Sequence, residues 1–354
     1  MNFSIAALER FAAKLFLAVG MDAEKAASVA RLLIQTDAMG RRTHGLAMAP
    51  LYLVDIEKGK KLGLDNSGMR ITGEPIVIKD NGTSAVWDGR YLPGMWLIER
   101  AITEAIPLAK ARGIRAVAIK QSHHIGCLAA LTKIATDQGL IALIANSDPA
   151  GARVAPYGGT EALMTPNPIA MGYPTTSSPV LVDICASITT TSMTRQKYAA
   201  GALFEHEWLL DSNGKPTRDP AVLENTTPRG SLQLMGGLDY GHKGFGLSLI
   251  NEALSQGLTG YGRKDAPKRW GGNTFLQVID PEMFGGKDAF TDQMDFLSDA
   301  CRSNKPIDVN HPVRMPGDQA AHGLAQSQLH GISYDDATWE NIIRCATQIG
   351  IKAP

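Results

Sequence analysis

Three histidines are the residues best suited to chemistry. His123 and His124 stand side by side in Ser122-His-His-Ile-Gly126, and His44 stands in Thr43-His-Gly45. An imidazole titrates near neutral pH, so each of them is equipped to move a proton. Metal binding fits them less well. Adjacent histidines point in different directions and chelate poorly, and no H-E-x-x-H spacing occurs among the eight histidines. Serine hydrolase chemistry lacks its G-x-S-x-G elbow. Gly241-His-Lys-Gly-Phe-Gly246 suits an anion: glycines allow close backbone approach, a helix start offers unpaired N–H groups, and Lys243 adds a cation. The same glycines would also serve capping or packing. Neither G-x-G-x-x-G after a strand nor G-x-x-x-x-G-K-[ST] is present. Asp183 interrupts the apolar run Val180-Leu-Val-Asp-Ile184 and needs a partner, whether backbone N–H groups, a cation or a ribose hydroxyl.

The elements around these residues follow from periodicity. Residues 114–120 are apolar and β-branched, 127–138 are helical in character and stop at Gly139, and 140–145 are apolar again. That strand–loop–helix–strand unit puts His123 and His124 at the C-terminal end of its first strand, the edge where open α/β sheets bind ligands. Residues 4–20 place Ile5, Leu8, Phe11, Leu15 and Val19 on one helical face, with Ser4 as N-cap and Gly20 as stop. Asp22 caps a second helix to Gly40, and a third spans 46–57. His44 therefore lies at a helix–helix junction, where a histidine can also cap an end or fill a gap. Asp80-Asn-Gly82 between 76–78 and 84–87 reads as a hairpin, and 95–112 as a helix ending at Gly113. Residues 148–172 form a long loop rich in Pro and Gly, with Asn167 between two prolines. Helices are expected over 187–203, 247–258, 289–303 and 339–349, strands at 209–210 and 275–278, and a polar surface segment over 215–232.

Bulk properties bound the function. The 354 residues carry a formal net charge of zero and are 44% hydrophobic and 20% charged, which suits one large or two modest globular domains. There is no basic block for nucleic acid and no polybasic membrane patch. The first twenty residues carry Glu9, Arg10 and Lys14 inside their apolar pattern, which marks an amphipathic helix rather than a signal peptide. No apolar run approaches the ~18 residues of a membrane span. Cys127, Cys185, Cys301 and Cys345 form no C-x-x-C pair, which fits a reducing cytoplasm.

Six motifs occur in one order: Thr43-His-Gly45 before a helix with Pro50 and Tyr52, Ser122-His-His-Ile-Gly126, Pro166-Asn-Pro168, Val182-Asp-Ile-Cys-Ala-Ser187, Gly241-His-Lys-Gly-Phe-Gly246, and Arg314-Met-Pro-Gly-Asp318. Together they resemble the type-2 malate/L-lactate dehydrogenase family over the whole chain. The resemblance implies an α/β (α+β) fold with a non-Rossmann NAD(P)-binding sheet domain. A helical domain is built from the two chain ends, residues 1–70 packing with 290–354 around a central 71–289. It implies hydride transfer between NAD or NADP and a 2-oxo or 2-hydroxy acid, in a homodimer with the active site near the interface. By position, His44 and His124 match the family's catalytic histidines. Ser122, His123, Val180, Leu181, Val182, Asp183, Ile184, His242, Lys243, Met315, Pro316, Gly317 and Asp318 match its cofactor-contacting stretches.

Two departures stand out. Thr43 replaces the usual serine and keeps a hydroxyl. Met48 stands where many members have an arginine, a ready bidentate partner for a carboxylate; one branch of the family also has Met there. An apolar side chain at Met48 points away from dicarboxylates and toward a monocarboxylate with an apolar tail. The substrate carboxylate is then left to Arg41, Arg42 or Arg153. Two other functions use the same features: reduction of a cyclic imino acid at C=N, and nucleotide sensing without catalysis.

Overall fold

The computed structural model describes residues 2–62 and 68–354. In chain order, a short strand β1 (Asn2–Phe3) precedes helices α1 (Ile5–Ala18), α2 (Ala23–Ala38) and α3 (Ala49–Leu62), with 3-10 turns at Arg42–His44 and Leu46–Met48. Ser4 caps α1 by accepting the Ala7 N–H, and Leu8, Phe11 and Leu15 are buried as their spacing requires. Asp22 stands at the start of α2 without capping it. Its carboxylate accepts instead from Lys25 Nζ at 2.8 Å and from the Gly73 N–H at 3.2 Å.

The central region holds β2 (Ile76–Asp80), β3 (Ser84–Asp88), α4 (Gly94–Arg112), β4 (Ile114–Ser122), α5 (Leu128–Thr136), β5 (Ile141–Ser147), β6 (Pro168–Tyr173) and β7 (Val180–Cys185). Next come α6 (Thr191–Ala199), β8 (Leu209–Leu210), β9 (Pro216–Thr217), α7 (Ala221–Glu224), β10 (Ser231–Leu232), α8 (Gly237–Glu252) and β11 (Gly272–Ile279). The chain closes with α9 (Lys287–Arg302), α10 (Asp318–His330), β12 (Ile332–Ser333) and α11 (Asp336–Gln348).

One seven-stranded mixed sheet runs β2-β3-β4-β11-β5-β6-β7, in which β3 and β4 pair in parallel and the other neighbours are antiparallel. The expected strand–loop–helix–strand unit is there, but β4 and β5 do not touch. The late strand β11 lies between them, with Phe275 opposite both Ala118 and Ala145. This brings Trp270, just before β11, to the edge where β4 delivers His123 and His124. The hairpin is anchored from inside: Arg115 is buried and both its terminal nitrogens bond Asp80 at 2.7 Å.

Further expectations change in the fold, among them the loop expected over 148–172, which gives way to β6 at Pro168. The helix expected over 187–203 is confined to α6, because Ser187 bridges to Leu234 and the Thr190 hydroxyl caps the Met193 N–H. Residues 215–232 are more than surface. Leu223 and Leu232 enter a second core with Val154, Met164, Phe204 and Leu209, while Ser231 is buried. The helical run α8 begins at Gly237, ahead of the glycine motif, but breaks at Tyr240 (φ −122°, ψ 15°), so Gly241 opens its regular part. Both chain ends meet: β1 pairs with β12, and Phe3 packs on Trp339 at 4.4 Å between ring centroids.

Candidate active site

β4 ends at Ser122, and His123 and His124 follow directly. The backbone turns there against the start of α4. A Cβ on Gly94 would lie 2.2 Å from the His123 carbonyl oxygen, so only glycine admits this approach. The two imidazoles then diverge, as adjacent residues must. Helix α3 meets both with one face, because Tyr52 and Asp55 are three residues apart. Tyr52 Oη lies 2.7 Å from His124 Nδ1, and Asp55 Oδ2 lies 3.0 Å from His123 Nε2. Trp270 closes the cluster, 4.5 Å from the His123 ring and 5.4 Å from the His124 ring.

His44 completes the arrangement from its 3-10 turn. Its ring stacks near-parallel to His124 with centroids 5.8 Å apart, and its Nδ1 is 2.9 Å from Thr43 Oγ1. The hydroxyl kept at Thr43 is therefore in contact with the imidazole. The turn is held by buried Asp37, whose Oδ2 accepts the Leu46 N–H at 2.8 Å and the Tyr334 hydroxyl at 2.7 Å. Tyr334 comes from the C-terminal segment, so the far end of the chain braces the His44 turn. Burial pushes the Asp37 carboxyl up to about 6, against the pull of the Leu46 N–H, Tyr334 and Arg42.

Burial also lowers the three histidines. For His44, the nearby Asp183 carboxylate opposes the effect and Arg41 adds to it. His124 is held well below the usual histidine range by burial, then by the charges His44 and His123 would carry. His123 is lowered by burial and partly restored by Asp55. Neither His44 nor His124 has its Nε2 among the buried unpartnered atoms, and no protein group bonds either Nε2 among the described residues. Both are open to a ligand. His123 is fully buried with its Nδ1 unpartnered, and Ser122 is fully buried with its hydroxyl on the His123 carbonyl.

Strand β7 gathers the remaining motif residues. Asp183 accepts the Ala129 N–H of α5 at 2.9 Å, so of the partners open to it a backbone N–H is the one present. The Leu181 N–H donates to the Pro316 carbonyl at 2.9 Å, and Gly317 fits where a Cβ would lie 2.8 Å from the Pro179 oxygen. Asp318 folds back onto the Met315 N–H at 2.8 Å and pairs with Arg302 through both oxygens. Beyond the strand, Met235 donates to the Ala186 carbonyl, and Gly244 brings α8 against the same oxygen. Along β7, Val180 and Leu181 are buried, Val182 and Asp183 half-buried and Ile184 exposed, while His242 and Lys243 stand exposed nearby. Arg153 is placed elsewhere, with one buried unpartnered nitrogen and Arg229, Glu224 and Arg195 as its charged neighbours. Met48 packs against the main core.

Asp55, Trp270, Asp37 and Tyr334 carry no motif that marks them in the sequence. The pairing of Tyr52 and Asp55 three residues apart opposite a His-His pair was the available signal. Trp270 gave none, because its place depends on where β11 inserts.

A family model described as malate/L-lactate dehydrogenase matches residues 3–343. The chain belongs to this family of NAD(P)-dependent oxidoreductases acting on the CH–OH group of hydroxy acids. Hydroxycarboxylate dehydrogenase B of Escherichia coli is 27% identical over 99% of this chain and 95% of its own. A (2R)-3-sulfolactate dehydrogenase (NADP(+)) of Chromohalobacter salexigens is 31% identical over 73% of this chain and 70% of its own. Among solved structures, delta1-piperideine-2-carboxylate reductase of Pseudomonas syringae superposes with a TM-score of 0.83 at 25% identity, covering 98% of this chain and all of that one (100%).

Proposed function

We infer that the protein interconverts a 2-oxo acid and a 2-hydroxy acid with NAD(P), using His44 and His124 at the reacting oxygen. The stacked pair of imidazoles, each with Nδ1 engaged and Nε2 open, carries this reading. NAD or NADP, when bound, supplies or accepts the hydride. The residues that would hold it are those gathered on β7. Ile184 offers an exposed apolar face, Lys243 has no carboxylate partner among the described residues, and Met315, Pro316 and Gly317 close against Leu181. His242, Val182 and Asp318 are assigned to the same surface, while Val180 is buried and belongs to it through the strand backbone alone. Ser122 and His123 are fully buried at the end of β4, separated from β7 by three strands, and present no exposed side chain to that surface.

His44 gives its proton to the substrate oxygen in reduction and takes it back in oxidation. Asp183 favours the protonated ring. Asp183→Asn keeps an acceptor for Ala129 and removes the charge, so the His44 pKa falls. Reduction needs the protonated ring, and its rate declines as pH rises through that pKa. The variant's decline therefore begins at lower pH, with about tenfold less rate above it for each pH unit moved. A pH profile of reductive kcat/KM reads this; an unchanged alkaline limb would separate Asp183 from His44.

The substrate's acidic group needs a cation other than Met48. Arg42 is engaged by the Ser333 carbonyl and the Tyr334 ring, and Arg153 faces Arg195 and Arg229. Arg41 lies near enough to His44 to oppose its protonation, and no carboxylate pairs with it among the described residues. We assign it the carboxylate, with Met48 lining an apolar pocket. A panel of NADH- or NADPH-coupled assays with pyruvate, oxaloacetate, phenylpyruvate, a branched 2-oxo acid and a cyclic imino acid tests this. Turnover is expected on a bulky monocarboxylic 2-oxo acid. Preference for oxaloacetate would sink the role given to Met48, and turnover on the cyclic imine alone would favour the C=N reading that the likeness to the piperideine-carboxylate reductase supports.

The reading includes a nucleotide-binding sheet outside the Rossmann pattern, which the single parallel pair supports. It also includes a helical domain from residues 1–70 and 290–354, supported by the β1–β12 pairing and the Tyr334–Asp37 bond. A homodimer is supported by exposed Ile76, Val77 and Ile78 on the edge strand β2, and a cytoplasmic setting by four unpaired cysteines.

A further inference from the structure

Tyr52 is buried, and its hydroxyl has one hydrogen-bond partner among the described residues, Nδ1 of His124 at 2.7 Å. Around that contact lie the rings of His123, His124 and Trp270, with no carbonyl or carboxylate bonded to the phenol. The direction of the bond follows from counting protons. If Tyr52 donates, its O–H is satisfied, Nδ1 is the acceptor, and the ring proton sits on Nε2. If instead Nδ1–H donates, the phenol proton is left buried with no acceptor. Such an orphan disfavours that arrangement by roughly tenfold to a hundredfold. The other ring nitrogen, Nε2, is open to the site.

We propose that Tyr52 is a positioning residue that fixes His124 as its Nε2–H tautomer, so that His124 donates a hydrogen bond to the substrate oxygen and does not carry the proton. This rests on the reading above, in which both histidines meet that oxygen. The division of labour follows. When the carbonyl carbon gains a hydride, the C=O π pair moves to oxygen, and the oxygen takes a proton from His44, which is refilled from solvent. His124 keeps its own proton and holds the same oxygen throughout. Burial and two neighbouring imidazoles, with no carboxylate bonded to it, keep His124 neutral for this role.

The test uses the full chain with histidine labelled by nitrogen-15, the His124 signals being assigned by their loss in His124→Gln. At neutral pH the Nε2 of His124 is expected to be protonated and Nδ1 bare. In Tyr52→Phe the second tautomer is expected to appear, with reductive kcat reduced about tenfold and cofactor affinity unchanged. An Nδ1–H tautomer in the wild type, or an unchanged tautomer in Tyr52→Phe, would overturn the proposal. Kinetics give an independent arm. Glutamine donates an N–H but cannot shuttle a proton, so His124→Gln should exceed His124→Ala by about tenfold in kcat. Equal loss in both would overturn the donor role. Failure of the underlying reading looks different: wild-type protein without turnover on any 2-oxo acid, or His44→Ala at wild-type rate.

Discussion

His44→Ala is expected to lower turnover by roughly 10²–10⁴-fold, the usual contribution of a positioned proton-transfer group, with little change in cofactor affinity. The expectation comes from where the ring sits. Its Nδ1 is held by Thr43, its plane stacks on His124, and its Nε2 is the atom left for substrate. The residues proposed to hold the cofactor do not include His44, so removing its ring should leave nucleotide binding intact. Steady-state kinetics with a parallel cofactor titration by nicotinamide fluorescence separates the two. A variant that loses cofactor affinity and turnover together would make His44 a binding residue instead.

Gly45→Ala should be nearly as damaging, without touching any reacting group. A Cβ at Gly45 would lie 1.9 Å from Asp37 Oδ1 and 2.2 Å from its Cγ. Asp37 cannot yield easily. It is buried on α2, and its other oxygen already holds the Leu46 N–H and the Tyr334 hydroxyl. The turn must therefore move, and His44 is its adjacent residue. Overpacking of this kind costs ~1–3 kcal/mol of stability. A displacement of about 1 Å at a catalytic group costs around a hundredfold in kcat/KM. Denaturant unfolding and kinetics on the same preparation read both quantities. Wild-type kinetics in Gly45→Ala would mean that Asp37 does not set the position of His44.

Much of this site was legible in the chain itself. The strand before His123 and the helix after it follow from local periodicity and from Gly139, and the structure places them within a few residues of where they were expected. Asp183 breaks an apolar run, which makes it a carboxylate in need of a partner, and the Ala129 N–H supplies one. What could not be read were consequences of distance along the chain. β11 inserts between β4 and β5 from more than a hundred residues away, and Trp270 reaches the histidines only because of that. Tyr334 braces Asp37 across 297 positions. Leu223 and Leu232 looked solvated among polar neighbours, since the core they enter is assembled from Val154, Met164 and Phe204 as well. Among the arginines, local sequence gave no preference. The fold separates them by engaging Arg42 with Ser333 and Tyr334, setting Arg153 beside Arg229, and leaving Arg41 near His44.

The most direct measurement is the fate of the hydride. Protein is incubated with a 2-oxo acid and nicotinamide cofactor carrying deuterium at the transferable position of C4, and the organic acid is examined by mass spectrometry and proton NMR. One deuterium at C2 of a 2-hydroxy acid, formed by the wild type and lost with His44→Ala, is the result expected here. Deuterium retained on the cofactor while a cyclic imino acid is reduced in a parallel reaction, or no transfer to any 2-oxo acid despite bound cofactor, would contradict it.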